Sequence, residues 1–250
     1  MFRKLLVSCV VLATVGAGIA PAVASESRPV RSCADLVRSF DVPNARTQVK
    51  SAVVVSGATE FCDVRGTIEP NIGFQLKLPT RTYQGRYFQY GCGGFCGIID
   101  DPAFPQGCGP SFGDAAVAAT DDGHQAAPPG FDTTWAANDQ QARDDYFFRA
   151  PHALSKVSKH IIKTFYGMAP KKSYFGGCSN GGREALLLAQ RYPHDFDGII
   201  AAAPAADISA LIGYQAWIAR NSIPNDKVFL LHSAVMKACD GLDGDRKSVV

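Results

Sequence analysis

The stretch Ser173-Tyr174-Phe175-Gly176-Gly177-Cys178-Ser179-Asn180-Gly181-Gly182-Arg183 restricts the possible folds of this chain more than any other. A short β-forming run, Ser173 to Phe175, enters a cluster of glycines and leaves it as a helix-forming run from Glu184 to Tyr192. Within it, Gly177-Cys178-Ser179-Asn180-Gly181 fits the G-x-S-x-G pattern, in which a serine sits on a sharp strand-to-helix turn. The serine backbone in such a turn is strained, so the residues two positions either side must be too small to clash. The N–H of the following residue, Asn180, would face the point where negative charge develops on an attacked carbonyl oxygen. The bland alternative is a structural Gly-rich strand–helix turn. A strand before, a helix after and small neighbours favour Ser179 as a nucleophile.

Further strands are expected at Ser51–Val55, Val64–Ile68, Ile72–Pro79, Arg86–Tyr90 and, buried, Phe196–Ala203, from β-branched runs or apolar–polar alternation. A short capped helix is expected from Ser32 to Phe40 and a polar one from Asn138 to Tyr146. A longer helix opens at Arg149-Ala150-Pro151-His152, places Leu154, Val157, Ile161, Ile162 and Phe165 on one face, and ends at Gly167. Strand–helix–strand repeats around Ser179 imply an α/β fold with a mostly parallel sheet and flanking helices. The Gly91-Cys92-Gly93-Gly94-Phe95-Cys96-Gly97 loop follows an early strand. A glycine loop there can supply a second oxyanion N–H, from Gly93 or Gly94. It lacks the G-x-G-x-x-G spacing of a dinucleotide loop.

The chain begins with Arg3 and Lys4, an apolar run from Leu5 to about Ile19, and Ala22-Val23-Ala24. This reads as a secretory signal peptide over residues 1–24, too short to span a bilayer comfortably, so a secreted or periplasmic location is expected. Without it the chain carries 23 basic and 23 acidic residues, which gives no electrostatic case for nucleic acid or an anionic membrane. Seven cysteines remain, Cys33, Cys62, Cys92, Cys96, Cys108, Cys178 and Cys239. In an exported protein they read as disulfides, yet an odd number leaves one without a partner in the chain. The Cys92-x-x-x-Cys96 spacing could suggest a metal, but no sequence cluster of His or Cys completes a zinc site.

Gly177 to Arg183, with Ala189-Gln-Arg-Tyr-Pro-His-Asp-Phe-Asp-Gly-Ile-Ile-Ala-Ala-Ala-Pro-Ala205, resembles the tannase and feruloyl esterase family of secreted α/β-hydrolases. So do the Phe61–Ile68 segment, the glycine loop and Thr120-Asp121-Asp122-Gly123-His124. The resemblance covers residues 25–237 and implies a serine esterase acting on small aromatic (phenolic) acid esters, such as feruloyl or galloyl esters, through an acyl-enzyme, with no cofactor required for catalysis. A serine peptidase or lipase of the same fold, and a non-catalytic α/β-hydrolase-like binding protein, are the competing readings. In this fold the acid and His follow the serine, so His124 is expected to be structural or pocket-lining. Asp207 and His232 lie downstream but too early, and His152 and His160 are read as helix-surface or satisfied buried histidines. Cys33 is expected to pair with Cys62.

Residues 238–244, Ala-Cys-Asp-Gly-Leu-Asp-Gly, resemble the start of the family's calcium-binding lid segment, with Asp240 and Asp243 as partial ligands for a structural calcium. Lys247 stands where that pattern has a third aspartate. Beyond Gly244 the resemblance ends, and Asp245-Arg-Lys-Ser-Val-Val250 is the translation of a common sequencing adapter, GAT-CGG-AAG-AGC-GTC-GTG. The tail is therefore expected to be non-native, and the chain to stop before the lid domain, the last core strands, and the acid and His. The resemblance further implies that Cys178 pairs with a missing cysteine beside that His. As given, Ser179 would then lack a general base.

Overall fold

The computed structural model describes residues 27–102 and 113–239. The expected leader, Cys108, Asp240, Asp243 and the 245–250 tail lie outside the described residues. Eight strands form one sheet: β1 (Ser39–Phe40), β2 (Thr47–Val55), β3 (Phe61–Ile68), β4 (Ile72–Pro79), β5 (Arg86–Tyr90), β6 (Ala115–Thr120), β7 (Lys172–Cys178) and β8 (Gly198–Ala202). Their spatial order is β1-β2-β3-β4-β6-β5-β7-β8.

The sheet is mixed, and the expected parallel character belongs to one half of it. β1 to β4 form an antiparallel meander, and β4 also runs antiparallel to β6. The connections between β1, β2, β3 and β4 are short, so each strand must turn back beside its predecessor. The β6-β5, β5-β7 and β7-β8 pairs are parallel. From β5 the chain moves first to one side (β6) and then, through helices, to the other (β7). The carboxyl ends of β6, β5 and β7 thus meet at a topological switch point, where an α/β sheet opens a crevice.

Helices α1 (Gln140–Asp144) and α2 (Ala150–Tyr166) flank a π-helical turn, Asp145–Arg149. α2 buries Leu154, Val157, Ile161, Ile162 and Phe165 at helical spacing and ends on Gly167, whose φ of 77° is the left-handed cap that glycine favours. That face joins Leu76, Leu78, Tyr87 and Phe175 of the sheet in the main core. β6, Ala-Ala-Val-Ala-Ala-Thr, is buried at every position, and α2 packs on it. Its small side chains let the helix approach closely.

Two expectations are corrected. The Ser32–Phe40 helix is a single 3₁₀ turn, Ala34–Leu36, that gives way to β1. Only Leu36 of that turn reaches the core, and Asp35 and Ser32 close it through reciprocal side-chain bonds to each other's backbone N–H. Strand β8 is not buried: as the last strand of the described sheet it leaves Ile200 61% exposed. The helix α3 (Asn180–Arg191) precedes β8, and after that strand come α4 (Ile208–Arg220) and α5 (Asn225–Cys239), neither of which buries a residue. Trp217 and Phe229 are among their exposed side chains.

Candidate active site

Strand β7 ends at Cys178 and helix α3 (Asn180–Arg191) begins at Asn180, so one residue makes the turn. That residue is Ser179, at φ 60° and ψ −116°. A non-glycine residue there is strained and persists only if its surroundings over-determine it. Three backbone bonds do so. Ser179 N–H donates to the Ala202 carbonyl (3.1 Å), and the Ser179 carbonyl accepts from the N–H groups of Arg183 (3.1 Å) and Ala205 (3.0 Å). The side chain is exposed, and its hydroxyl makes no hydrogen bond to another side chain among the described residues.

Close packing explains the glycines. A Cβ on Gly177 would lie 2.4 Å from the Gly181 backbone, and one on Gly182 would lie 2.5 Å from the Ala202 carbonyl oxygen. Gly91, which opens the glycine loop, meets Gly181 in the same way, at 2.6 Å. The loop therefore rests directly on the first turn of α3. It is braced from outside by a bond from the Phe95 N–H to the Gly130 carbonyl and from within by Cys96 N–H to the Gly93 carbonyl. Gly94 has φ 59° and faces the Gly130 carbonyl, whereas Gly93 faces open space. The N–H groups of Asn180, Gly93 and Gly94 have no acceptor among the described residues.

Beneath the serine lies a buried polar network that sequence reasoning did not find. Asn180 turns its side chain inward, where its Oδ1 accepts from Tyr146 Oη (2.8 Å) and Arg183 Nε (2.7 Å). Its Nδ2 donates to Glu184 Oε1 (2.8 Å) and approaches the sulfurs of Cys92 (3.2 Å) and Cys96 (3.1 Å), which are joined as a disulfide. Asp122 closes the group, its Oδ2 lying 3.4 Å from Cys96 Sγ. Burial, reinforced by Glu184's charge, holds the Asp122 carboxyl well above its ordinary range, and burial pushes Glu184 up to about 8. The pair therefore retains a proton at neutral pH. Arg183, stacked over Tyr146, spends its guanidinium on Asn180 Oδ1 and the carbonyls of Phe147 and Tyr146. One signal was available: Asn180 and Glu184 stand four apart, on one face of the helix that leaves the serine.

The other expected residues are placed as follows. His124 is buried, stacked on Trp135 at 3.8 Å, with Nε2 bonded to the Phe95 carbonyl at 2.9 Å. Burial lowers its pKa, so it stands neutral behind the glycine loop. It reaches that place because Asp121 Oδ1 accepts from the N–H groups of Gly123 and Gly73, forming the turn after β6. Asp207 caps α4 by accepting from Ala210 N–H, and His232 lies on exposed α5. His152 pairs with Asp195 at 2.6 Å and stacks on Tyr192, while His160 is exposed against Phe40. None of these histidines is bonded to Ser179. Cys33 and Cys62 form a disulfide, and Cys178 is an exposed free thiol beside the serine.

The family model described as tannase and feruloyl esterase matches residues 53–250, and so includes the Ser179 turn, the glycine loop and the Asp121–His124 turn. The chain belongs to this family. Probable feruloyl esterase B-1 of Aspergillus terreus is 35% identical over 178 residues, which is 68% of this chain and 32% of that protein. Mono(2-hydroxyethyl) terephthalate hydrolase of Piscinibacter sakaiensis is 32% identical over 252 residues, 83% of this chain and 42% of the relative. The crystal structure of feruloyl esterase B from Aspergillus oryzae aligns with a TM-score of 0.71 at 26% identity, covering 84% of this chain and 46% of that one. The chain has the α/β-hydrolase fold. The chain spans about a third to a half of the length of these relatives.

Proposed function

We propose that this chain carries the nucleophile and the oxyanion site of a carboxylic ester hydrolase that acts on small aromatic acid esters. The observation that carries the reading is Ser179 itself, exposed at φ 60° between a parallel strand and a helix. Ser179 Oγ attacks the ester carbonyl, and the N–H of Asn180, with that of Gly93 or Gly94, receives the charge on the carbonyl oxygen. The alcohol leaves, and water then releases the acid from the acyl-enzyme. No metal or organic cofactor takes part in this route. Feruloyl and galloyl esters are the substrate class, supported by the family's description and the names of the relatives.

The general base and its acid partner are supplied from sequence beyond residue 250, together with strands that cover β8 and the apolar faces of α4 and α5. Cys178 is held for a disulfide with a cysteine of that region, and Asp240 and Asp243 contribute to a structural calcium site there. Export to the periplasm or medium follows from residues 1–24 and accords with the Cys33–Cys62 disulfide.

The test compares residues 1–250 with the product of the same locus resequenced and read onward. Methyl ferulate and methyl gallate are offered against a triglyceride and a peptide. The extended protein is expected to hydrolyse the aryl esters and Ser179→Ala to lower that rate by about 10³-fold or more, with residues 1–250 alone comparably slow. Aryl-ester hydrolysis that survives Ser179→Ala, a preference for the peptide or triglyceride, or a genuine stop codon after Val250 would each count against the proposal.

A further inference from the structure

Four potential metal ligands meet under the glycine loop: the Cys92 and Cys96 sulfurs, a carboxylate oxygen of Asp122 and one of Glu184, all within 4.8 Å of one another and all buried. They come from three separate elements: the loop after β5, the turn after β6, and α3. The sulfur-to-oxygen separations are 2.9 Å for Cys92–Glu184, 3.4 Å for Cys96–Asp122, 3.7 Å for Cys92–Asp122 and 3.8 Å for Cys96–Glu184. Around a tetrahedral zinc, with bonds of about 2.3 Å to sulfur and about 2.0 Å to oxygen, ligand atoms sit roughly 3.3–3.8 Å apart. Three of the four sulfur-to-oxygen separations fall in that range; the Cys92–Glu184 one is shorter, and the two sulfurs, bonded to each other here, must part to reach it.

The disulfide leaves this pocket poorly satisfied. A disulfide sulfur has no proton to donate, and beyond the proton the carboxyl pair shares, Asp122 Oδ1 and Glu184 Oε2 are buried with no hydrogen-bond donor among the described residues. Both residues are at most 1% exposed. Burying two carboxyl groups is costly even when they share a proton, and the Arg183 guanidinium beside them donates its hydrogen bonds to other acceptors. Asn180 Nδ2 reaches Glu184 and both sulfurs, and Tyr146 and Arg183 fix its orientation, as an outer shell does around bound metal.

We propose that the Cys92, Cys96, Asp122 and Glu184 side chains form a closed, four-ligand site for one divalent transition-metal ion of the zinc class, and that the disulfide is the oxidised, metal-free form of that site. Thiolates exclude calcium and magnesium as occupants, and two sulfur with two oxygen donors suit a borderline cation in tetrahedral geometry. Conversion needs a two-electron reductant, and the Sγ–Sγ bond breaks to give two thiols: two molecules of a thiol supply both electrons and both protons and leave as their own disulfide, or a phosphine supplies the electrons and leaves as its oxide, with water giving the oxygen and both protons. Metal binding then displaces both thiol protons to solvent, along with any proton held between the carboxylates. Occupied, the site would fasten the glycine loop to the helix that starts at Ser179. This inference concerns structure beneath the serine and stands whether or not the ester-hydrolase proposal does.

The experiment uses the full chain with Cys108, Cys178 and Cys239 replaced by serine, so that outlying thiols do not contribute. After reduction with a phosphine and its removal under argon, Co²⁺ is titrated in as a spectroscopic stand-in, and Zn²⁺ is then used to displace it. One equivalent is expected to bind with sulfur-to-cobalt charge transfer in the near ultraviolet and intense tetrahedral bands in the visible. Zinc should abolish both. Adding Cys92→Ser with Cys96→Ser should remove the signal, and Asp122→Asn should weaken binding at least about tenfold. Cys33→Ala with Cys62→Ala should leave it intact. As a second measurement that does not depend on refolding after reduction, the chain is made in a reducing cytosol with added zinc. There, one zinc per chain and slow alkylation of Cys92 and Cys96 are expected. Absence of the cobalt bands together with zinc-free protein from the reducing cytosol overturns the proposal. So does a signal that survives loss of Cys92 and Cys96, or that is unchanged by Asp122→Asn.

Discussion

Gly177→Ala tests the packing that sets the serine turn. The added Cβ would stand 2.4 Å from the Gly181 carbonyl carbon and oxygen, whereas ordinary contact begins near 3.4 Å. The start of α3 must therefore retreat by about 1 Å, because both sides of the clash are backbone and no side chain can swing away. Retreat is opposed on two further sides. Gly182 lies against the Ala202 carbonyl, and Gly181 lies against Gly91. Overpacking costs about 1–3 kcal/mol in general, and a site closed on three sides belongs at the upper end, about 3 kcal/mol. For a domain of this size that lowers Tm by about 6–12 °C. The assay is thermal and urea unfolding followed by near-ultraviolet circular dichroism. Gly213→Ala is the internal control, since nothing lies within 4 Å of its Cβ position and it sits in α4. It should stabilise the helix by about 0.5–1 kcal/mol. Should Gly177→Ala unfold within about 0.5 kcal/mol of the parent, the tight strand–helix contact described here is wrong.

Three further outcomes are expected. Replacing Cys33 and Cys62 by alanine opens a loop with a sequence separation of 29 and should cost about 3–4 kcal/mol by loop-closure entropy, read from urea midpoints. Asn180→Ala leaves Tyr146 Oη, Arg183 Nε and Glu184 Oε1 short of a buried partner and should destabilise by about 3 kcal/mol; a change below about 1 kcal/mol would mean that water replaces the amide. The pH dependence has a definite sign. Glu184's folded value of about 8 lies above its ordinary 4.5, so the folded state holds the extra proton between them, and stability falls as pH rises through that window. Glu184→Gln, in chelator-treated oxidised protein, should flatten this slope, and an unchanged slope would assign it to other groups.

What could be read from the residues followed from how local the signal was. β4 and β5 match their expected limits because alternating or aromatic runs with polar boundaries carry their own period. The serine turn was legible for the same reason: strand, glycines and helix are contiguous. β6 went unread because a run of alanines carries no β-branched signal, and its strand form is imposed by β4 and β5 on either side. The antiparallel half escaped notice because pairing direction depends on connection length rather than on residue pattern. Cys92 and Cys96 showed only a spacing that could suggest metal. Their carboxylate neighbours lie 26 to 92 residues away in sequence, and only the folded sheet brings them together.

Mapping a fluorophosphonate adduct by mass spectrometry bears most directly on the central claim, that Ser179 is the nucleophile. On the protein read onward from this locus, the adduct is expected on the peptide containing Cys178-Ser179-Asn180, at one equivalent, and absent from Ser179→Ala. An unlabelled Ser179 in folded, extended protein, or an adduct on a different serine, would contradict it.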